Sequence, residues 1–203
     1  MFWLDYIFPK ISFSGENPHY YLNQKIRNRS ILRIVRLDNQ KYIQRVFSIE
    51  EYSDSEIKDA LSRIKLGHEF DRITELKIII QKAYNSIKTI HDVRPDVITP
   101  VSSNIGRKAI RGFALAEELA YALDSSLYIE LFSPIKNTLE QAKLSLSQRK
   151  KITLPQVIKK NIQPKIILLV DDVATTGTTL QVHAKALKQK YKKCIIYALV
   201  FCN

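Results

Sequence analysis

The sequence has 203 residues, of which 45% are hydrophobic, 5 are Gly and 2 are Cys. That supports one ordinary core and excludes wholesale disorder, a disulfide framework and a four-cysteine zinc site. Lys plus Arg outnumber Asp plus Glu by 32 to 20, a net charge of +12, which favours polyanionic ligands such as nucleic acid, a membrane surface or phosphorylated small molecules. A Lys- and Ile-rich composition alone would also give a basic surface. No apolar run approaches the roughly 20 residues that span a bilayer, so no membrane insertion is expected. The opening MFWLDYIFPK lacks a basic segment and a small-residue cleavage site. A cytoplasmic location is therefore expected.

Residues 1–50 read as a small β-rich module. Ser14-Gly15-Glu16-Asn17-Pro18 is a turn cluster. Ile31 to Leu37 and Tyr42 to Phe47 alternate around Asp38-Asn39, the pattern of a β-hairpin. Tyr20, Tyr21, Tyr42 and Phe47 lie among Lys and Arg. They are either base-stacking platforms for single-stranded DNA or the module's own core.

Residues 51–203 read as a second, larger domain that includes connecting helices over 53–92. Ser53 or Asp54 can cap a helix with Ile57, Leu61 and Ile64 on one face and Gly67 as its stop. Phe70, Ile73, Leu76, Ile80, Ala83, Ile87 and Ile90 continue at helical spacing. From residue 95 strands alternate with helices. Strands are expected at 97–101, 127–131, 166–170 and 194–201, and helices at 113–123 and 179–191. Alternation of this kind predicts an α/β fold with a doubly wound parallel sheet. Ligands of such sheets bind beyond the C-terminal strand ends. Residues 133–164 carry no clear element and read as a basic lid.

The chemistry concentrates in Ile167-Leu168-Leu169-Val170-Asp171-Asp172-Val173-Ala174-Thr175-Thr176-Gly177-Thr178-Thr179. A buried strand ends in two carboxylates, and a loop of small and hydroxyl residues leads into a helix. Backbone N–H groups at that helix start, with the Thr hydroxyls, suit a phosphate monoester. The carboxylates cannot serve the phosphate, so they address ribose hydroxyls or a Mg²⁺ ion beside it. No G-x-x-x-x-G-K-[ST] or G-x-G-x-x-G loop occurs, which excludes the Walker and dinucleotide readings. The four His are dispersed without ligand spacing, so no protein metal site is expected.

This segment resembles the phosphoribosyl-pyrophosphate (PRPP) motif of type I phosphoribosyltransferases. The resemblance implies that Asp171 and Asp172 hold the ribose 2′- and 3′-hydroxyls. It implies that Ala174, Thr175, Thr176, Gly177 and Thr178 bind the 5′-phosphate. A second stretch, Thr99 to Phe113, is similar to ComF family proteins, in which a strand end leads to R-x-x-x-R-G-F. Arg107, Arg111, Gly112 and Phe113 match, while Ser102 and Asn104 replace the family's usual Pro and His. Val101, Ser102 and Ser103 fall at the pyrophosphate loop, and Arg107, Lys108 and Arg111 are the candidate cations for the leaving group. Gln141 to Arg149 is similar to the family's Q-x-x-L-S-x-x-x-R element, which makes Lys143 and Arg149 candidate phosphate contacts. Where ComF proteins carry a Cys-x-x-C zinc ribbon, this chain has Ile11 and Ser14. A metal-free ribbon with a core of Trp3, Ile7 and Phe13, and no zinc, is expected.

The resemblance thus implies a type I phosphoribosyltransferase-like fold that uses PRPP, with Mg²⁺ carried by the pyrophosphate and an unidentified acceptor. Asp171, Asp172, Arg107 and Arg111 would carry the chemistry. It also implies a link to DNA uptake in natural transformation, with single-stranded DNA or DNA-processing proteins as partners. The alternative is a non-catalytic DNA-binding accessory protein that keeps the PRPP fold.

Overall fold

The computed structural model describes residues 32–37, 40–51, 55–66, 72–134, 155–158 and 161–203. Five strands form one sheet in the order β1-β2-β5-β4-β3. They are β1 (Arg33–Val35), β2 (Arg45–Glu50), β3 (Val97–Pro100), β4 (Ile166–Val173) and β5 (Ile195–Cys202). β2, β5, β4 and β3 run parallel, and β1 is an antiparallel edge. The helices are α1 (Ser55–Lys65), α2 (Ile73–Ile90), α3 (Ile105–Arg111), α4 (Leu115–Leu123) and α5 (Thr178–Lys190). The mixed α/β class expected from the alternation is therefore observed. No helix among the described residues is long and apolar enough to cross a membrane.

Residues 166–170 of β4 are an unbroken apolar run because both faces of the strand are covered there. Ile167 and Leu169 share one core with Leu180, Ala184 and Leu187 of α5. Leu168 and Val170 point the other way by the two-residue period of a strand, and they too are buried. α4 lies against β3 and β4. α2 packs on α4, buries Ile73, Leu76, Ile80, Ala83 and Ile87 as its stripe requires, and adds Ile79 and Tyr84. Its polar edge is pinned to α4 by the Lys77–Glu118 ion pair at 2.6 Å and by Gln81 Nε2–H donating to the Ala122 carbonyl at 2.7 Å. Ile90 falls off the stripe and is exposed.

Three expectations change. The strand expected at 127–131 reduces to an isolated parallel bridge between Ile98 and Tyr128. Ile98 exchanges bonds with Leu127 and Ile129 (both 2.9 Å). The next donor on that edge of β3 would be residue 100, and Pro100 has no N–H, so the ladder stops. Leu131 N–H donates instead to Thr99 Oγ1 at 3.2 Å.

The hairpin expected around Asp38-Asn39 is present as β1 and β2, but Val35 opposes Val46, a register too wide for a two-residue turn; Asp38 and Asn39 themselves lie outside the described residues. Both strands, read as part of the N-terminal module, belong to the main sheet, because β2 pairs with β5 from Arg45↔Tyr197 to Glu50↔Cys202. Phe47, read as a possible base-stacking residue, is fully buried between His91 and Tyr197 at 5.1 and 6.3 Å. It is core. Tyr20, Tyr21, Trp3, Ile7 and Phe13 lie outside the described residues, as does most of the 133–164 segment.

Candidate functional site

β4 carries Asp171 and Asp172 out of the core at its C-terminal end. Asp171 is buried, and its Oδ1 accepts the Asp172 N–H at 2.8 Å. Burial, and then the neighbouring Asp172 charge, holds the Asp171 carboxyl well above the usual carboxylate range. The opposing influences are the Asp172 N–H that Asp171 accepts and, after it, Lys65, the last residue of α1, whose Nζ lies 2.9 Å from Asp172 Oδ2. Lys65 carried no signal in the sequence, since a Lys ending a helix is ordinary.

The turn after β4 is built locally. Ala174 N–H donates to the Cys202 carbonyl at 2.9 Å and ends the pairing. Gly177 then takes a left-handed conformation, φ 68°, and α5 begins at Thr178. Only glycine adopts that φ without strain. Space enforces the same choice: a Cβ here would fall 2.9 Å from Leu37 Cδ2 and Cγ. The hydroxyls of Thr176 and Thr178 pair at 2.9 Å on the exposed side. A small cavity follows this turn from Asp171 to Leu180. The connection between β1 and β2 borders it: Leu37 packs on Gly177, and Gln181 Oε1 accepts N–H bonds from Lys41 and Tyr42 (3.2 and 3.4 Å).

A larger cleft of about 460 Å³ opens between this turn and the loop after β3. Lys65, Lys108 and Arg111 line it together with Asp171 and Asp172. The 101–104 loop continues the sheet through Val101 N–H donating to the Val170 carbonyl at 2.9 Å. It is then pinned on two sides. Ser103 Oγ–H donates to Glu117 Oε1 at 2.6 Å, and Glu117 Oε2 takes Lys108 Nζ at 2.5 Å. That hydrogen bond is the main reason the Lys108 ammonium titrates above its ordinary value. On the other side Ser102 N–H reaches His183 Nε2 at 2.9 Å, and its hydroxyl reaches the same nitrogen at 2.6 Å. His183 Nδ1 lies 2.7 Å from the Thr179 carbonyl. A carbonyl only accepts, so Nδ1 carries the proton and Nε2 is the acceptor. Burial pushes His183 down to about 4, which keeps the ring neutral.

The sequence candidates therefore converge in part. Asp171, Asp172, Val101, Ser102, Ser103 and Arg111 surround one cleft. Ala174, Thr175, Thr176, Gly177 and Thr178 line the adjoining cavity. Arg107 is carried by α3. Lys143 and Arg149 lie outside the described residues. Lys65, Glu117 and His183 were missed. Only His183 had a signal: it interrupts the apolar Leu180–Ala184–Leu187 face of α5, where a buried His needs partners.

Residues 70–203 match the model of the phosphoribosyl transferase domain. The chain belongs to that family. It is also similar to competence protein F of Haemophilus influenzae, at 29% identity over 138 residues, covering 64% of this chain and 60% of that protein. The chain thus spans somewhat under two thirds of that relative's length. The phosphoribosyl transferase match includes every cleft residue named above except Lys65, both loops and every strand except β1 and β2.

Proposed function

We propose that this protein binds PRPP and transfers its phosphoribosyl group to an acceptor of unidentified structure, whose nucleophilic atom bonds to the ribose C1 carbon as the C1–O bond to pyrophosphate breaks, with Mg²⁺ arriving as part of the substrate. The observation that carries the reading is the pair Asp171–Asp172 at the end of β4, set between a left-handed Gly177 turn and a cation-lined cleft. Asp171 and Asp172 would accept the ribose 2′- and 3′-hydroxyls. Their negative charge favours the oxocarbenium-like transition state. The 174–178 turn would hold the 5′-phosphate through its N–H groups and Thr hydroxyls. Arg107, Lys108 and Arg111, with Lys143 and Arg149, would neutralise the departing pyrophosphate. The Asp171 carboxyl stays well above its ordinary range although the Asp172 N–H and, more weakly, the Lys65 charge both pull it down. That suits a substrate that brings a divalent cation and hydroxyl donors.

Thermal unfolding with PRPP and Mg²⁺, run beside Asp171→Asn, tests this. A rise in midpoint that the variant loses supports the site. No rise at millimolar PRPP would overturn it.

The likeness to competence protein F and the net charge of +12 favour a second role, in DNA uptake during natural transformation. Arg33, Arg36, Lys41 and Arg45 are exposed along β1, β2 and their connection, although Arg33 also pairs with Glu51. These residues would hold a single-stranded DNA backbone. Charge reversal at Arg36, Lys41 and Arg45 would then weaken DNA binding and flatten its salt dependence.

A further inference from the structure

We infer that His183 is a positioning residue that pegs the loop after β3 to the first turn of α5, and that Ser102 is the peg rather than a ligand of pyrophosphate. The inference rests on the PRPP reading above. Ser102 has two donors, its N–H and its hydroxyl, and both are directed at the single lone pair of His183 Nε2, which they share. The hydroxyl of Ser103 is spent on Glu117. Neither hydroxyl of the expected pyrophosphate loop is therefore turned to a ligand.

His183 is itself held on every side. Nδ1–H is tied to the Thr179 carbonyl, in the first turn beyond the phosphate cradle. Phe132 meets the ring edge-on at 4.7 Å, and Phe132 bridges to Val157. A buried, doubly bonded imidazole is a rigid spacer. It fixes the distance between the loop after β3 and the turn at 174–178. A ligand with anionic groups at both ends gains from that fixed distance. A ligand that occupies only the phosphate turn does not.

The experiment compares ribose 5-phosphate with PRPP plus Mg²⁺ by calorimetry, on the parent and on His183→Ala, Ser102→Pro and Ser102→Thr. Proline at 102 has neither donor, whereas threonine keeps both. The expected result is PRPP binding weakened about tenfold in the first two variants, the scale of a lost buried hydrogen bond. Ribose 5-phosphate should bind all four proteins alike, and Ser102→Thr should restore PRPP binding. Equal losses for both ligands would mean a merely structural histidine and would overturn the inference, as would unchanged PRPP binding in Ser102→Pro. If His183→Ala does not fold, the two Ser102 variants carry the test. Amide exchange separates this idea from the PRPP reading. If the parent binds neither ligand, the PRPP reading falls. A slowly exchanging Ser102 amide in the ligand-free parent, whose protection is lost in His183→Ala, would still uphold the peg. A fast one would overturn it.

Discussion

The two loops that flank the cleft are made in opposite ways. The turn after β4 is local: carboxylates, small residues, a left-handed Gly177 and the start of α5 follow one another between Asp171 and Thr178. The loop after β3 takes its shape from distant partners. Ser103 is held by Glu117 on α4, and Ser102 by His183 on α5, 81 residues away. A local turn keeps its shape wherever the chain carries it. A loop pinned from afar exists only when the sheet is assembled, and it can be loosened by changes that never touch a ligand.

The largest effect should come from Asp171→Asn, at the local turn. It should abolish the PRPP-dependent rise in unfolding midpoint. It should also raise the stability of the ligand-free protein at neutral pH by about 1–2 kcal/mol, because a charge that burial disfavours is gone. That gain should shrink in acid, where the native carboxyl is already protonated. A ligand-free variant less stable than the parent at neutral pH would contradict the buried-charge account.

Gly177→Ala sharpens the contrast next. The new methyl meets a left-handed backbone and the Leu37 side chain at once. A loss of about 2–4 kcal/mol is expected in urea unfolding. Leu37→Ala in the same protein should recover the steric part and leave the backbone part. Losses that simply add would show that Leu37 does not roof the turn.

The distant pin predicts an acid sensitivity. The unfolded chain protonates residue 183 near its ordinary value of 6.5, whereas the native ring resists until about 4. The native state binds fewer protons in that window, so stability is whole above pH 6.5 and falls as pH drops toward 4. The full cost is roughly 3 kcal/mol. His183→Gln should remove this component, which the difference between urea midpoints of parent and variant at pH 7.5 and pH 4.5 would show. Parallel pH profiles for the two proteins would defeat the assignment.

The smallest effect is expected for Glu117→Gln, which keeps an acceptor for Ser103 but loses the charge that faces Lys108. Lys108 is partly exposed, so about 0.5–1 kcal/mol is expected from chemical denaturation.

What was legible follows the same division. The α2 stripe and the apolar run of β4 are visible because 3.6- and 2-residue periods are written in neighbouring residues. The phosphate turn is visible because its chemistry is contiguous. The strand expected at 127–131 fails on one atom, the N–H that Pro100 lacks on the adjacent strand. β1 and β2 look like a separate hairpin in the sequence because β5, the other partner of β2, lies some 150 residues further on. Lys65 and Glu117 look like ordinary surface charges, and only folding brings them to Asp172, Ser103 and Lys108.

By itself the sequence determined the α/β alternation, the paired carboxylates at the end of a buried strand and the glycine turn into a helix, since each depends on the few residues around it. Tertiary structure alone decided which cation meets Asp172, which side chains aim the loop after β3, and that Phe47 is buried rather than free to stack. Those outcomes depend on sheet order and register, which bring together side chains whose separation in the chain leaves no local trace.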